Sequence, residues 1–431
     1  MSQTLLEVGA IVKSAREVWD GPGYIVLQDD VIEDIGRGEY PGSRAGMTVV
    51  KRPHRVAIPG LVNTHGHAAM TLLRGAGDDL PLMTWLTERV FPMEAKLTED
   101  AIYWGTLLAC WEMIRSGTTC FTDMYMSMHK AAAAVEESGM RAVLSWGMVG
   151  LDETSARSGI RNSESFVGAW HRQAGGRITV TLGPHAPYTC PPDYLQQVAE
   201  LAGRLAVPIQ IHLSETRTEV DDCLRLYNRT PIAHAASCGL FEHPVLAAHC
   251  VHVTDEDIEI MRANDVHVAH NPQSNLKLAS GIAPVPSMTQ AGLIVGLGTD
   301  GAASNNNLDM FEELRLAATL HKAVAFDASI LPAAQAFQMA TEDGAKAVFL
   351  PAGSGTLEKG AAADVTLLDL RSPHLIPTHS LLSNVVYAAG ADDVTDVFVA
   401  GRALLSNREP QTIDTERVEY EARRIAQALS Q

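Results

Sequence analysis

Short runs of β-branched and apolar residues recur through the middle of this 431-residue chain, most of them followed by a stretch with helical periodicity. The runs lie at 56–62, 118–123, 142–148, 178–182, 208–213, 245–249, 266–269 and 294–298. A strand that feeds a helix and then another strand signals parallel pairing, because only a crossover connection returns the chain to the same end of a sheet. Eight such units close into a (β/α)8 barrel, and no other feature of the sequence restricts the fold as much. The intervening stretches, among them 101–116, 130–139, 193–205, 219–238, 255–264 and 286–292, are mostly helical in pattern, and several end at Gly or Asn as helix C-termini do.

The two ends of the chain follow a different rhythm. Residues 1–55 and 359–412 alternate apolar and polar groups between Gly and Pro turns, the pattern of antiparallel strands with one buried face. Pairing these ends gives a small discontinuous β-sandwich beside a barrel spanning 56–358, and 413–431 forms a closing helix, centred on 414–429. The expected fold class is therefore α/β, a (β/α)8 TIM-like barrel with a β-sandwich built from the N- and C-terminal segments. With 46% hydrophobic and 19% charged residues the chain can bury a core of that size, and it has no internal repeat or low-complexity tract.

A formal net charge of -18 argues against a polyanionic partner, since nucleic-acid binding draws its affinity from Lys and Arg neutralising phosphates. The first residues contain neither a basic region nor a long apolar one, and no uninterrupted apolar run approaches the roughly 18 residues of a membrane span. A soluble, cytoplasmic protein acting on a small molecule, with no nucleic-acid or membrane partner, is expected. The six cysteines are scattered without a Cys-x-x-Cys pair, which reads as reduced, buried thiols.

The residues that carry chemistry sit at the C-terminal ends of expected strands, where a barrel of this kind places its catalytic groups. The first strand runs into His65-Gly66-His67. In an extended segment residues i and i+2 project to one face, so these two imidazoles can share a cation. The fifth ends in His212, with Glu215 three residues on: a ligand followed by a general acid/base just beyond it. The sixth ends in His249 and the eighth in Thr299-Asp300-Gly301, whose carboxylate can bind a metal and accept a proton. Each has a bland alternative, a hydrogen-bonded core histidine or a simple Asp-Gly turn. Independent accidents at four strand ends are a poorer account than one site of His65, His67, His212 and Asp300 with an open coordination position. Zn2+ suits this ligand set, with Fe2+ and Mn2+ as alternatives.

Taken together, His65-Gly66-His67 after Pro-Gly-Leu-Val-Asn-Thr, His212 with Glu215, His249 and the run from Thr299 to Asn306 resemble the amidohydrolase superfamily, specifically its mononuclear aminohydrolase branch. Dinuclear members carry a bridging lysine at the end of the fourth strand. This chain has Gly183-Pro184-His185 there, so one metal is expected. Within that branch the sequence is similar to the 5-methylthioadenosine/S-adenosylhomocysteine deaminases, through the stretch from Thr84 to Thr98. The resemblance implies that Trp85 packs on the ligand, that Glu94 accepts hydrogen bonds from the two ribose hydroxyls, and that His185 and Ser304 face the purine. It also implies that Arg161, with Arg157 as its competitor, meets the carboxylate of a long tail. The resemblance places a second tail-binding arginine of the family at Trp146, and its loss favours less charged 5′-substituents such as methylthio, or plain adenosine.

The implied reaction is hydrolytic deamination of an adenine-type nucleoside to its inosine analogue and ammonia. Glu215 donates to N1, His249 hydrogen-bonds to the attacking oxygen, and Asp300 passes a proton to the leaving amine. The rivals are an s-triazine amino- or chlorohydrolase, a guanine or pterin deaminase, and, from a different class, a non-catalytic barrel that binds only metal or nucleoside. Self-association into a homo-oligomer is a further expectation, since relatives of this kind are commonly oligomeric.

Overall fold

The structure, a computed structural model, describes residues 3–80 and 82–429. Eight parallel strands follow one another in chain order: Leu61–Asn63, Thr118–Tyr125, Arg141–Met148, Ile178–Pro184, Ile209–Leu213, Val245–His249, His267–His270 and Val295–Leu297. The eighth meets the first where the Thr64 N–H donates to the Leu297 carbonyl at 2.9 Å. The ring is closed, and helices surround it.

Alternation along each strand separates two cores. On the third strand Ala142, Leu144 and Met148 pack outward with the helices, while Val143 points inward to Val62, Cys120, Leu246 and Ala269 at the barrel floor. Ala345, Ala347 and Val348 cover that floor from below. The apolar filling thus occupies the bottom of the barrel and leaves the upper inward positions to polar residues, as a period of two allows.

One expected strand is divided. Residues 56–62 do not form a single barrel strand: Met47–Pro59 belongs to the other sheet, where it pairs with Gln3–Ser14, and the barrel begins only at Leu61. Gly60 is the joint. A Cβ there would lie 2.1 Å from the Thr119 hydroxyl oxygen, so no side chain fits where the chain crosses from one sheet to the other.

The two ends of the chain do pair, in a nine-stranded sheet separate from the barrel. Val365–Asp369 lies antiparallel to Met47–Pro59 and to Val394–Val399, joining the C-terminal strands to the N-terminal ones. The sheet curls round a core of its own containing Leu6, Ile25, Ile32, Val365 and Phe398. Ile32 exchanges backbone hydrogen bonds of 2.8 Å with Gly360 and Ala361, tying the far edge strand to the segment that leads into Val365–Asp369.

Two helical expectations change. The stretch 219–238 is two helices, Arg217–Tyr227 and Pro231–Ser237, because Asn228 adopts a left-handed φ of 52° and Pro231 starts a new helix. Helix Glu153–Trp170 has no counterpart among the expected ones. It buries Gly159, Ser163, Phe166 and Val167, a stripe whose small members do not register as apolar, and Asp152 closes its N-terminus with a capping box. The last helix, Thr415–Leu429, buries Val418, Ala422 and Ile425. All six cysteines are free and buried, and among the described residues no helix is long and apolar enough to cross a membrane.

The joint at Gly60 makes a direct test. Gly60→Ala should destabilise the protein by about 1–3 kcal/mol through overpacking, read as a lowered melting temperature. Gly168→Ala, where nothing lies within 4 Å of the new methyl group, should raise it slightly, because alanine is the better helix former.

Candidate active site

The barrel closure that joins the first and eighth strands also sets the distance between their catalytic ends. The Asp300 N–H donates to the His65 carbonyl at 3.0 Å, and Gly298 lets the eighth strand pass beneath, since a Cβ there would stand 2.8 Å from the His65 nitrogen. Asp300 Oδ1 is thereby held 3.5 Å from His65 Nε2 and 3.2 Å from His67 Nε2. His212 arrives from the fifth strand, with ring centroids 4.8 Å from His65 and 5.5 Å from His67. Ligand atoms of His65, His67 and His212 lie within 4.8 Å of one another, and so do those of His65, His249 and Asp300.

Each imidazole is oriented by its other nitrogen. His67 Nδ1 donates to the Met124 carbonyl and His212 Nδ1 to the His185 carbonyl, both at 2.7 Å, which turns each Nε2 toward the centre. His65 Nδ1 meets the Gln210 amide at 3.1 Å, and its buried Nε2 has no hydrogen-bond partner. A buried nitrogen without a partner is costly unless something else fills the role.

Electrostatics agree with a cation at that centre. Burial lowers His65 to about 4 and holds His212 well below its ordinary value, so both are neutral, as metal ligands must be. Burial also pulls on His67, but the adjacent Asp300 outweighs it and lifts the imidazole to about 9. Asp300 itself is raised by burial and lowered further by His65 and His67, ending well below the usual carboxylate range. The group as a whole favours a positive charge where the Nε2 atoms and Oδ1 converge. Three nitrogens and one carboxylate oxygen fit a divalent metal.

Beside the ligands opens a cavity of about 400 Å³. Trp85, Glu94, His185, Glu215, His249 and Ser304 all line it, so the structure brings together nearly every residue singled out from the sequence. His249 reaches it by breaking alternation: Val245 and Ala247 on the same strand face the helices, and a left-handed φ of 71° turns His249 inward. Its Nε2 lies 3.9 Å from Glu215 Oε2. Burial raises the Glu215 carboxyl, with His249 opposing. Glu94 accepts a hydrogen bond of 2.6 Å from the Tyr125 hydroxyl through Oε1. His185, lowered to about 4 mainly by burial, is neutral, with Nδ1 2.9 Å from the Thr189 hydroxyl.

Three expectations about the tail end come out differently placed. Arg157 and Arg161 stand exposed on helix Glu153–Trp170, Arg157 in an ion pair with Glu153, and neither lines the cavity. Trp146 does not replace a cavity-facing arginine. It shares the outward parity of Leu144 and Met148 and packs on the rings of His129 and Phe166 outside the barrel. That parity was readable from the strand itself. No Lys or Arg is among the described residues that line the cavity, whose wall beyond Glu94 carries Leu86, Phe91, Met126, Val149 and Leu151.

Sequence reasoning also missed the residues that hold the site. Glu219 receives the Ser214 and Glu215 N–H groups at 2.9 and 2.8 Å, clamping the turn that carries Glu215. Asp123, at the end of the second strand, receives the Ala68 N–H at 2.9 Å, just after His67. Ser274 donates to Asp300 Oδ2 at 2.7 Å, as Ser304 does at 2.9 Å. Only the position of Asp123, near the C-terminal end of a barrel strand, offered any signal.

A family model for the amidohydrolase family matches residues 56–404. The chain belongs to the amidohydrolase family. Its relatives include a 5-methylthioadenosine/S-adenosylhomocysteine deaminase of Syntrophomonas wolfei, 50% identical over 94% of both chains, and one of Pelotomaculum thermopropionicum, 51% identical over 94% of both. Among solved structures, an adenosine deaminase from Xanthomonas campestris with bound zinc superimposes with a TM-score of 0.92 at 34% identity, covering 100% of this chain and 99% of the other. Within this amidohydrolase the donor set at the barrel mouth is a divalent metal site.

His67→Ala and His212→Ala should each lose most of the bound metal, whereas Glu215→Gln should keep about one equivalent, because Glu215 lies outside the ligand set. Elemental analysis of the purified variants checks both.

Proposed function

We propose that this amidohydrolase is a hydrolytic deaminase of 5′-substituted adenosines, with zinc as its metal and a 5-methylthioadenosine-like compound as its preferred substrate. The observation that carries the proposal is the arrangement of two carboxylates in one cavity. Glu215 stands beside the ligand cluster, 3.9 Å from His249, and Glu94 lines the same cavity with Oε1 taken by Tyr125 and Oε2 left to accept from a sugar diol. The names of the half-identical relatives agree with this assignment.

Held by His65, His67, His212 and Asp300, the cation would supply a Lewis acid that makes water a nucleophile near neutral pH. The chain's own groups do the rest. Trp85, 5% exposed, packs on the nucleoside, and Glu94 accepts from the ribose hydroxyls. His185 is neutral and meets the purine edge. Ser304 spends its hydroxyl proton on Asp300 and so offers the purine an oxygen lone pair. Glu215, whose buried carboxyl holds a proton more readily than usual, takes up one of the water's two protons and donates it to ring N1, while the Nε2 of His249 hydrogen-bonds to the oxygen attacking C6. Asp300 takes the water's remaining proton and delivers it to the amine, which leaves as ammonia. One water is consumed for each amino group exchanged for oxygen.

The apolar wall suits a methylthio group. Arg161, outside the cavity, is available only to a carboxylate on a tail long enough to leave it. An ultraviolet deamination assay should therefore give a kcat/KM for 5-methylthioadenosine about tenfold or more above that for S-adenosylhomocysteine, each apolar group buried being worth 1–3 kcal/mol. Adenine and melamine should stay at background. The reverse order would reject the tail assignment, and turnover of adenine or melamine alone would reject the nucleoside. Glu215→Gln should lower kcat by about 100–10,000-fold; a variant near normal turnover would remove Glu215 from the acid role.

A further inference from the structure

The segment that follows the seventh barrel strand, residues 271–280, has no catalytic motif, yet it touches three proton-handling groups. The Ser274 hydroxyl donates to Asp300 Oδ2 at 2.7 Å, His249 Nδ1 donates to Asn275 Oδ1 at 2.8 Å, and the Ser280 hydroxyl donates to Glu215 Oε1 at 3.4 Å. All three are buried, Ser274 and Asn275 to 1% exposure or less. We propose that this segment is the positioning element of the reaction, binding one of two competing atoms on each of Asp300, His249 and Glu215 and so deciding which atom is left to act. The inference rests on the deaminase assignment for the roles of those three residues.

Each of the three has an ambiguity that catalysis must remove. A carboxylate has two equivalent oxygens and an imidazole two nitrogens, either of which can carry the proton. Asp300 Oδ2 accepts from Ser274 and Ser304, so Oδ1 is the oxygen facing His65 and His67. Asn275 takes the Nδ1–H of His249, so Nε2 is the nitrogen in the cavity. Ser280 engages Oε1 of Glu215, so Oε2 is the oxygen toward His249. In each case the free atom points to the cavity.

The segment is also rigid enough for this. The Asn275 N–H donates to the Asn271 carbonyl at 3.0 Å, and the Ser280 N–H donates to the Asn275 carbonyl at 2.9 Å, closing the turn on itself. Buried Glu313 accepts the Gln273 N–H at 3.2 Å and the Asn305 amide at 2.6 Å, linking the start of the segment to the loop that follows Asp300. His252 donates through Nε2 to the Ser280 carbonyl at 2.7 Å. The positioning residues therefore move with the groups they orient.

The test uses full-length metal-loaded protein and the variants Ser274→Ala, Asn275→Leu and Asn275→Asp. Ser274→Ala and Asn275→Leu should each lower kcat for 5-methylthioadenosine by about 10–100-fold, the worth of a hydrogen bond to a charged group. KM, metal content and melting temperature should stay close to the parent's. Asn275→Asp keeps the acceptor and should recover most of the loss. Unchanged kcat, or a loss that follows metal content or melting temperature, overturns the proposal. A second readout needs no substrate: the visible spectrum of the cobalt-loaded protein should change in Ser274→Ala, where Asp300 Oδ2 keeps only the Ser304 hydroxyl, and not in Asn275→Leu. An unchanged spectrum in Ser274→Ala overturns the proposal even if the parent deaminates no nucleoside, an outcome that by itself would reject only the deaminase assignment.

Discussion

Closure of the barrel between its first and eighth strands is the constraint on which the site depends. The Thr64–Leu297 and His65–Asp300 backbone hydrogen bonds bring residues more than two hundred positions apart in sequence into one ring. Without that closure the His65-Gly66-His67 pair would face an open edge, and Asp300 would have no imidazole to oppose. Gly298 and Gly60 are where the closure is sterically possible: one admits the eighth strand under His65, the other lets the chain leave the terminal sheet and enter the barrel. The terminal sheet serves the same end from outside, because the long strand Met47–Pro59 leads directly into the first barrel strand and is pinned on both sides.

Once the ring is closed, the chemistry follows from which polar atoms are already satisfied. Buried donors and acceptors normally find partners, so where several site residues each keep one polar atom unengaged toward a common point, that point is where something else binds. At the barrel mouth the Nδ1 atoms of His67, His212 and His249 are all engaged, and the free atoms are the Nε2 positions, Asp300 Oδ1 and Glu215 Oε2. These leftovers point to one place. A cation and a reacting ring need that set of lone pairs and that acid.

How far the sequence could be read follows from the same physics. Strand periodicity and the clustering of His and Asp at strand ends are local signals, and they located the barrel and six residues that converge at its mouth, His65, His67, His212, Asp300, Glu215 and His249. Three things were not local. The division at Gly60 depends on Thr119 approaching from another strand. The inward turn of His249 depends on a backbone angle that alternation does not encode. Ser274, Asn275 and Glu219 act through contacts formed only when separate loops meet, and Ser, Asn and Glu in loops are otherwise ordinary. Trp146 is the opposite case, since its outward parity was available in the sequence.

The left-handed residues show what the arrangement demands of the backbone. Ser214, His249, Cys250 and Asp300 have φ values of 55°, 71°, 47° and 61°, and all lie at or just beyond the ends of barrel strands that carry site residues. A non-glycine residue in that region costs on the order of 1–2 kcal/mol, and such strain persists only where the surroundings over-determine it. Here they do so through buried side-chain acceptors: Glu219 takes the N–H of Ser214 and of Glu215, and Asn275 fixes the His249 ring. Glycine at 249 or 300 would relieve the strain but could not carry the imidazole of His249 or the carboxylate of Asp300. The strain therefore comes with placing functional side chains at the turns that end the strands, and the buried polar residues of the neighbouring loops offset it.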